Sequence, residues 1–190
     1  MQFRTLHIIF FLYLSVALHG QVILNNPGFE DTPQDATTPQ GWLACEPGTT
    51  PDILPGFWGV NLLPVEGQSF VGLITRKDGS FESIGQQLYP TLTKNNCHEF
   101  YIHLAKSRRY VGYSKAIQVR IWLADERCEK SQLVYTSPVI KHKKWKRYHV
   151  EFTPEQDASY ILIEVFTEDQ GKKGHVLIDG ISSIQRCSKA

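Results

Sequence analysis

The 190-residue chain has no surplus of either charge: 20 Lys and Arg stand against 19 Asp and Glu. Nucleic-acid recognition rests on a basic footprint, so a nucleic-acid partner is not expected. No stretch of about twelve residues carries an apolar period of 3.6, which argues against a helical bundle. The chain also lacks a G-x-S-x-G elbow, an H-E-x-x-H pair, a P-loop and a Gly-rich dinucleotide fingerprint. Cysteines number four (Cys45, Cys97, Cys128, Cys187). None forms a C-x-x-C pair and no His stands at zinc-finger spacing from one, so structural zinc and thiol redox chemistry are disfavoured. Low complexity is missing too, because 12% of residues are aromatic and 42% apolar, enough to exclude intrinsic disorder.

What is present starts with a leader. Arg4 supplies a positive n-region, and the almost wholly apolar run from Leu6 to Leu18 is shorter than the ~20 residues of a membrane span. It ends at His19-Gly20, so residues 1–20 read as a secretory signal peptide cut before Gln21, with an uncleaved anchor as the alternative. No transmembrane span is expected after cleavage. Residues 21–190 are expected to form a single domain, large enough for its own core. An even cysteine count in an exported chain reads as two disulfides, for which three connectivities exist.

From Phe70 onward, short β-type runs alternate with turn signals. They cover Phe70 to Ile74, Phe81 to Leu88, His98 to Ala105, Ile117 to Ala124, Gln132 to Ile140, Lys146 to Phe152, Tyr160 to Thr167 and His175 to Ile184. Apolar residues alternate in Phe100-x-Ile102-x-Leu104, Val119-x-Ile121-x-Leu123, Tyr148-x-Val150-x-Phe152 and Ile161-x-Ile163-x-Val165. A period of 2 predicts half-buried antiparallel strands. Asp78-Gly79 between two such runs predicts a hairpin. The Gln34 to Pro64 segment, punctuated by Pro39, Pro47, Pro51, Pro55 and Pro64, reads as one long structured loop. The expected fold class is all-β: a two-sheet antiparallel β-sandwich, or jelly roll.

Asn26-Pro27-Gly28-Phe29-Glu30, then Gly41-Trp42, and near the end Val176-Leu177-Ile178-Asp179-Gly180 form a frame. It resembles the galactose-binding-like jelly rolls, in particular carbohydrate-binding modules of families four, nine and twenty-two. Thr49-Thr50-Pro51-Asp52, Gly72 to Arg76 and Glu82 to Gln86 look like secreted Bacteroidetes modules attached to OmpA-like or gliding-associated envelope proteins. The resemblance implies a Cys97–Cys187 bridge and, with it, Cys45–Cys128. It also implies a structural Ca²⁺ site where the first and last strands meet. There Glu30, Glu66 and Asp179 supply carboxylates, and Gly28 and the segment ending at Ser69 supply further oxygens, the hard ligands calcium requires. The plainer reading is a capped turn at Asp179 and a solvated Glu30.

Sugar sites combine aromatic planes with polar side chains. Arg120 and Trp122 share the face opposite Val119, Ile121 and Leu123 and are the best hint of a platform. Tyr101 with His103, and Tyr160 with Glu164, stand on corresponding faces. The Pro-rich loop adds Phe57-Trp58, and Arg108-Arg109-Tyr110-Val111-Gly112-Tyr113 adds two cations and two tyrosines. Trp42 and Trp58 read equally as plugs beneath the loop, and the basic run from Lys141 to Arg147 reads as a solvated turn. Glycosidases need two carboxylates across a sugar site. Glu82, Glu99, Glu151 and Glu164 are on strands, but their spacing selects no pair. The expectation is a secreted, periplasmic or cell-surface monomer that binds glycan or cell-envelope polysaccharide and does not catalyse. An envelope or adhesion module binding protein or peptidoglycan is the rival, and a glycoside hydrolase the third class.

Overall fold

The computed structural model describes residues 21–188; the leader expected over residues 1–20 lies outside the described residues. Among the described residues, twelve strands make up the regular structure: β1 (Leu43–Ala44), β2 (Asp52–Leu54), β3 (Phe70–Thr75), β4 (Ser83–Leu92), β5 (His98–Ala105), β6 (Lys115–Ala116), β7 (Gln118–Ala124), β8 (Gln132–Thr136), β9 (Lys146–Phe152), β10 (Ala158–Phe166), β11 (Gly174–Asp179) and β12 (Gln185–Arg186). One sheet runs β1-β4-β10-β7-β8. The other is built on β9-β5-β11-β3-β2, with β12 and β6 extending it beside β5 and β11. All pairings are antiparallel except β6 with β11. Two sheets facing each other across alternating apolar side chains make the β-sandwich that the period-2 pattern predicts.

The alternation places the core. Phe100, Ile102 and Leu104 of β5 meet Val119, Ile121 and Leu123 of β7 and Ile161, Ile163 and Val165 of β10 in one buried cluster. The opposite face of β3, β5 and β11 is covered as well. Phe70, Ile74, Ala105 and Leu177 pack there against Leu54, Val60 and Tyr110, which come from β2 and from the loops after β2 and β5. This second layer is why β3 and β11 are buried along their whole length.

Two expectations need correction. Asp78-Gly79 does make a tight turn, with the Arg76 N–H donating to the Ser80 carbonyl at 2.8 Å and Gly79 at φ +86°. It does not make a two-stranded hairpin, because β3 and β4 belong to different sheets and the turn's two arms are paired by the isolated Thr75–Phe81 bridge alone. At Glu82 the chain changes sheet: its N–H donates to Ile74 of β3, while its carbonyl accepts from Val165 of β10. The Gln34 to Pro64 segment is likewise no structureless loop, since it contains β1 and β2. The first and last segments meet as the resemblance implied, Val22 and Ile184 exchanging two backbone hydrogen bonds of 2.9 Å. Both implied disulfides, Cys45–Cys128 and Cys97–Cys187, are formed.

Candidate functional site

The residues expected to bind ligand fall into three separate places. Arg120 and Trp122 on β7 and Glu164 on β10 share the outer face of the five-stranded sheet, where the register sets Glu164 opposite Arg120 and Leu162 opposite Trp122. There they are engaged with the protein itself. The Arg120 guanidinium lies 3.2 Å from the centroid of the Phe166 ring and 3.9 Å from the Glu164 carboxylate. Lys130 reaches the second Glu164 oxygen at 2.7 Å and also pairs with Glu46. The Cys45–Cys128 bridge crosses the same face: a Cβ added to Gly85 would stand 2.9 Å from the Cys45 sulfur. Beneath this strap Leu162 has no solvent exposure and Glu164 only 3%. The Trp122 indole N–H is enclosed there without a partner.

Tyr101 and His103 on β5 lie on the outer face of the other sheet, so they cannot share a ligand site with Arg120 and Trp122. Across the strand pair Tyr101 faces His149, and His103 faces Arg147. The Tyr101 ring stacks on His149 at 5.0 Å and beneath the Arg147 guanidinium at 4.3 Å. His149 in turn bonds Glu99 at 2.8 Å. His103 Nδ1 is 3.0 Å from the Gly180 carbonyl, beside the sandwich end described below.

Trp58 occupies the third place. It is 40% exposed and carries φ +54°, a left-handed conformation that is rare for a bulky residue and costs free energy unless its surroundings enforce it. Those surroundings are ordered. The Val111 N–H donates to the Trp58 carbonyl at 2.9 Å, and the Trp58 side chain lies near enough to the Asp52 carboxylate to favour its charged form. Asp52 also accepts from the Ala36 N–H at 2.9 Å and from the Tyr110 hydroxyl. Burial holds the Asp52 carboxyl above its ordinary value and pushes the Tyr110 hydroxyl well above its own. Trp42, by contrast, is the buried plug, stacked on Phe29 at 4.9 Å.

Next to Trp58 a cavity of about 350 Å³ opens between Gly59, Asn61 and Leu62 of one loop, Ser107, Arg108 and Arg109 of a second, and Lys143 of a third. The second loop is fastened from below by His175. Its Nδ1 lies 2.5 Å from the Tyr113 carbonyl, and its Nε2 lies 2.9 Å from the Ser107 nitrogen. The carbonyl can only accept and the Ser107 N–H can only donate, so the ring is the neutral Nδ1–H tautomer. Burial depresses the His175 pKa from 6.5 to about 4.

At the sandwich end the residues expected to hold calcium are neighbours, but the carboxylates of Glu30, Glu66 and Asp179 do not converge into one ligand cluster. A Cβ at Gly28 would stand 3.1 Å from a Glu66 oxygen and 3.3 Å from a Glu30 oxygen, so the two carboxylates flank Gly28. Asp179 has no solvent exposure. It accepts from the Val65 N–H at 2.6 Å and the Gly180 N–H at 2.7 Å. Burial first, with the Glu66 carboxylate as a smaller cause, raises its pKa to about 7 against those bonds. Ser69 is occupied internally, its hydroxyl donating to the Phe29 carbonyl and accepting from the Asp31 N–H. Among the described residues no ion pair involves Glu30, Glu66 or Asp179. The three carboxylates are of the hard-oxygen type calcium takes, and holding an ion would require their oxygens to move together.

The MAM family model (MAM domain, meprin/A5/mu) matches residues 67–188, well over half of the chain. The chain belongs to the MAM domain family. No curated protein matches it. Among solved structures, this MAM chain is similar to the CBM22-1 xylan-binding domain from Paenibacillus barcinonensis, at 18% identity and a TM-score of 0.56, with 90% of this chain and 97% of that one covered. It is similar to the K3 cleaved adhesin domain of Lys-gingipain from Porphyromonas gingivalis at 10% identity and a TM-score of 0.55, covering 87% and 99%. TmCBM61, solved in complex with β-1,4-galactotriose, is similar at 16% identity and a TM-score of 0.50, covering 86% and 97%. At such identities the likeness establishes the fold, the galactose-binding-like β-sandwich of carbohydrate-binding modules and adhesin domains. Ser107, Arg108, Arg109 and Lys143 lie within the MAM match, whereas Trp58, Asn61 and Leu62 precede it. Among the described residues no helix is long and apolar enough to cross a membrane.

Sequence reasoning named Trp58, Arg108 and Arg109 as surface candidates but did not join them to Lys143. It gave no site role to Asn61, Ser107, Asp52 or His175, although Asp52 stood in a motif that carried the resemblance. Asp52 and Tyr110 are 58 residues apart, and no local pattern announces such a contact.

Proposed function

We propose that the protein is a secreted or cell-surface binding module, a monomer that holds glycan or cell-envelope polysaccharide in the cavity beside Trp58 and does no chemistry on it. Calcium serves the module as a strut at the sandwich end. The observation that carries the reading is Trp58: an exposed aromatic residue in a left-handed conformation, its backbone fixed by Val111, next in the chain to Gly59, which lines a cavity of about 350 Å³. An exposed ring on a backbone fixed in place is available for stacking on a ligand, and Asn61, Ser107 and the nearby cations offer donors to hydroxyls. Relatives of the same fold include a xylan-binding domain and a module in complex with β-1,4-galactotriose. Fold likeness alone does not assign a ligand, so the ligand class rests on the chemistry of the site. Two disulfides accord with an oxidising, extracytoplasmic compartment. Calcium would be held by Asp179, Glu30 and Glu66 with oxygens of the Gly28 and Ser69 segments; it would neutralise carboxylates that the chain leaves unpaired.

The test is a glycan-array screen of residues 21–190 with calcium present, run beside Trp58→Ala. Retention of a glycan by the parent and its loss in the variant is the expected result. Silence of the whole array would overturn the glycan reading. It would favour the adhesion alternative, whose support is the exposed trio Phe57, Trp58 and Val111, each 38% to 45% accessible.

A further inference from the structure

The chain as a whole is close to neutral, yet its cations are not evenly compensated. Arg76, Arg120 and Lys130 are each paired with a buried glutamate. Around the cavity beside Trp58 the pattern reverses. Arg108, Arg109 and Lys143 line it with no carboxylate among the lining residues. Among the described residues, neither these three nor the neighbouring Lys106 takes part in an ion pair. The crowding reaches Lys106, whose ammonium is held below its ordinary value by burial first and by the Lys143 charge second.

The two arginines stand on a braced loop. Arg109 lies across Gly59: a Cβ there would be 2.8 Å from Arg109 Cδ, and Gly59 itself sits at φ +77°. Only glycine accommodates both the conformation and the overlying side chain. The Arg109 N–H donates to the Ser107 hydroxyl at 3.3 Å, and Ser107 is tied through its own N–H to the buried His175. Gathering like charges in a concave site raises the energy of the empty protein, and an anion entering the site relieves it. Guanidinium groups present flat pairs of N–H donors matched to the oxygens of a sulfate or carboxylate, while lysine adds a point charge.

We propose that this cavity recognises the oxyanion of an acidic glycan, a sulfate or carboxylate borne on the sugar, with Arg108, Arg109 and Lys143 as the recognition residues. The inference rests on the glycan reading above and names the class of sugar. Selectivity follows from the clustering of the cations, whose mutual repulsion an uncharged sugar leaves unrelieved.

Isothermal titration at physiological salt tests it with four probes: xylohexaose (neutral), oligogalacturonate (carboxylate only), carrageenan oligosaccharides (sulfate only) and an oligothymidylate (a polyanion without the sugar surface). At least one acidic sugar is expected to bind at least ten times more tightly than xylohexaose and than the oligothymidylate. The first comparison tests the charge, and the second tests the sugar. Which acidic probe wins identifies the oxyanion. Arg109→Ala and Lys143→Ala should each weaken that binding about tenfold or more. Gly59→Ala keeps every charge but displaces Arg109, and it should also weaken binding while circular dichroism stays unchanged. If xylohexaose binds as tightly as the acidic sugars, the inference fails and the glycan reading stands. If none of the sugars binds, both fail. If the oligothymidylate binds equally well, the cavity is an unselective basic patch and the inference fails.

Discussion

The two outer faces of this sandwich use the same residue types in opposite ways. On the five-stranded sheet, arginine, lysine and tryptophan lie under a strap made by the Cys45–Cys128 bridge. Each cation there has an acidic partner: Glu164 for Arg120, and Glu164 and Glu46 for Lys130. On the loop-covered side of the other sheet, arginine and lysine line an open cavity, with Trp58 next in the chain to its Gly59, and the cations have no acidic partner. A charge with a partner in the fold is stabilising structure; a charge raised on a braced loop and left unpaired awaits something from outside. The sandwich end repeats the second pattern with the sign reversed, in Glu30, Glu66 and Asp179.

The strap offers the largest effect by which to break this comparison. Cys45 and Cys128 are 83 residues apart, and opening a loop of that length costs about 4 kcal/mol in the chain-entropy model. The Cys45→Ala/Cys128→Ala double variant should therefore show a denaturation midpoint lowered by roughly that equivalent. Its glycan binding, measured below the transition, should be unchanged. Loss of binding with little loss of stability would mean that the strapped face is the working one.

His175 gives the next effect, on the opposite side. Its pKa is depressed from 6.5 to about 4, so the unfolded chain takes up the proton first as pH falls. Stability from this group is complete above about pH 6.5 and declines through that window by about 3 kcal/mol at pH 4. His175→Gln, which cannot titrate, should lose this part of the pH dependence in urea unfolding followed from pH 7 to pH 4. An unaltered profile would show that the bolt beneath the cavity is not the buried neutral imidazole.

Calcium gives a smaller and tunable effect. At a concentration a hundredfold above its dissociation constant, a ligand of the native state adds about 2.7 kcal/mol. Calcium should raise the melting temperature of carefully chelated protein, and Asp179→Asn should abolish the response. Equal melting with calcium and with chelator would leave the three carboxylates as ordinary surface and buried charge.

Much of the sandwich was legible because its strands repeat with period 2. Phe100-x-Ile102-x-Leu104 and Ile161-x-Ile163-x-Val165 point into the core as the pattern demands. What the pattern could not carry was partnership across the fold. Asp78-Gly79 signals a tight turn, but a turn does not state which sheet receives the next strand, and the answer depends on Glu82, buried with Arg76, Thr50 and the Ile74 N–H around it. Arg120 and Trp122 do face away from the core, yet outward of a sheet is not outward to solvent. The covering strap comes from Cys45, far earlier in the chain. Glu30, Glu66 and Asp179 were legible only through the resemblance. The cavity itself draws on three loops around residues 59–62, 107–109 and 143, which share no period and no motif. Trp58, an aromatic in a Pro-rich segment, and the Arg108-Arg109 pair hinted at it without joining up.

The most direct test removes one arginine from each face and reads two quantities on each variant. With the glycan that the array selects, Arg109→Ala should bind at least tenfold more weakly and keep its denaturation midpoint to within about 0.5 kcal/mol, as an exposed surface change does. Arg120→Ala should bind like the parent and unfold earlier, because Glu164 is then buried with one fewer counter-charge. If Arg120→Ala loses binding while Arg109→Ala retains it, the ligand belongs on the five-stranded face and the cavity beside Trp58 is not the binding site.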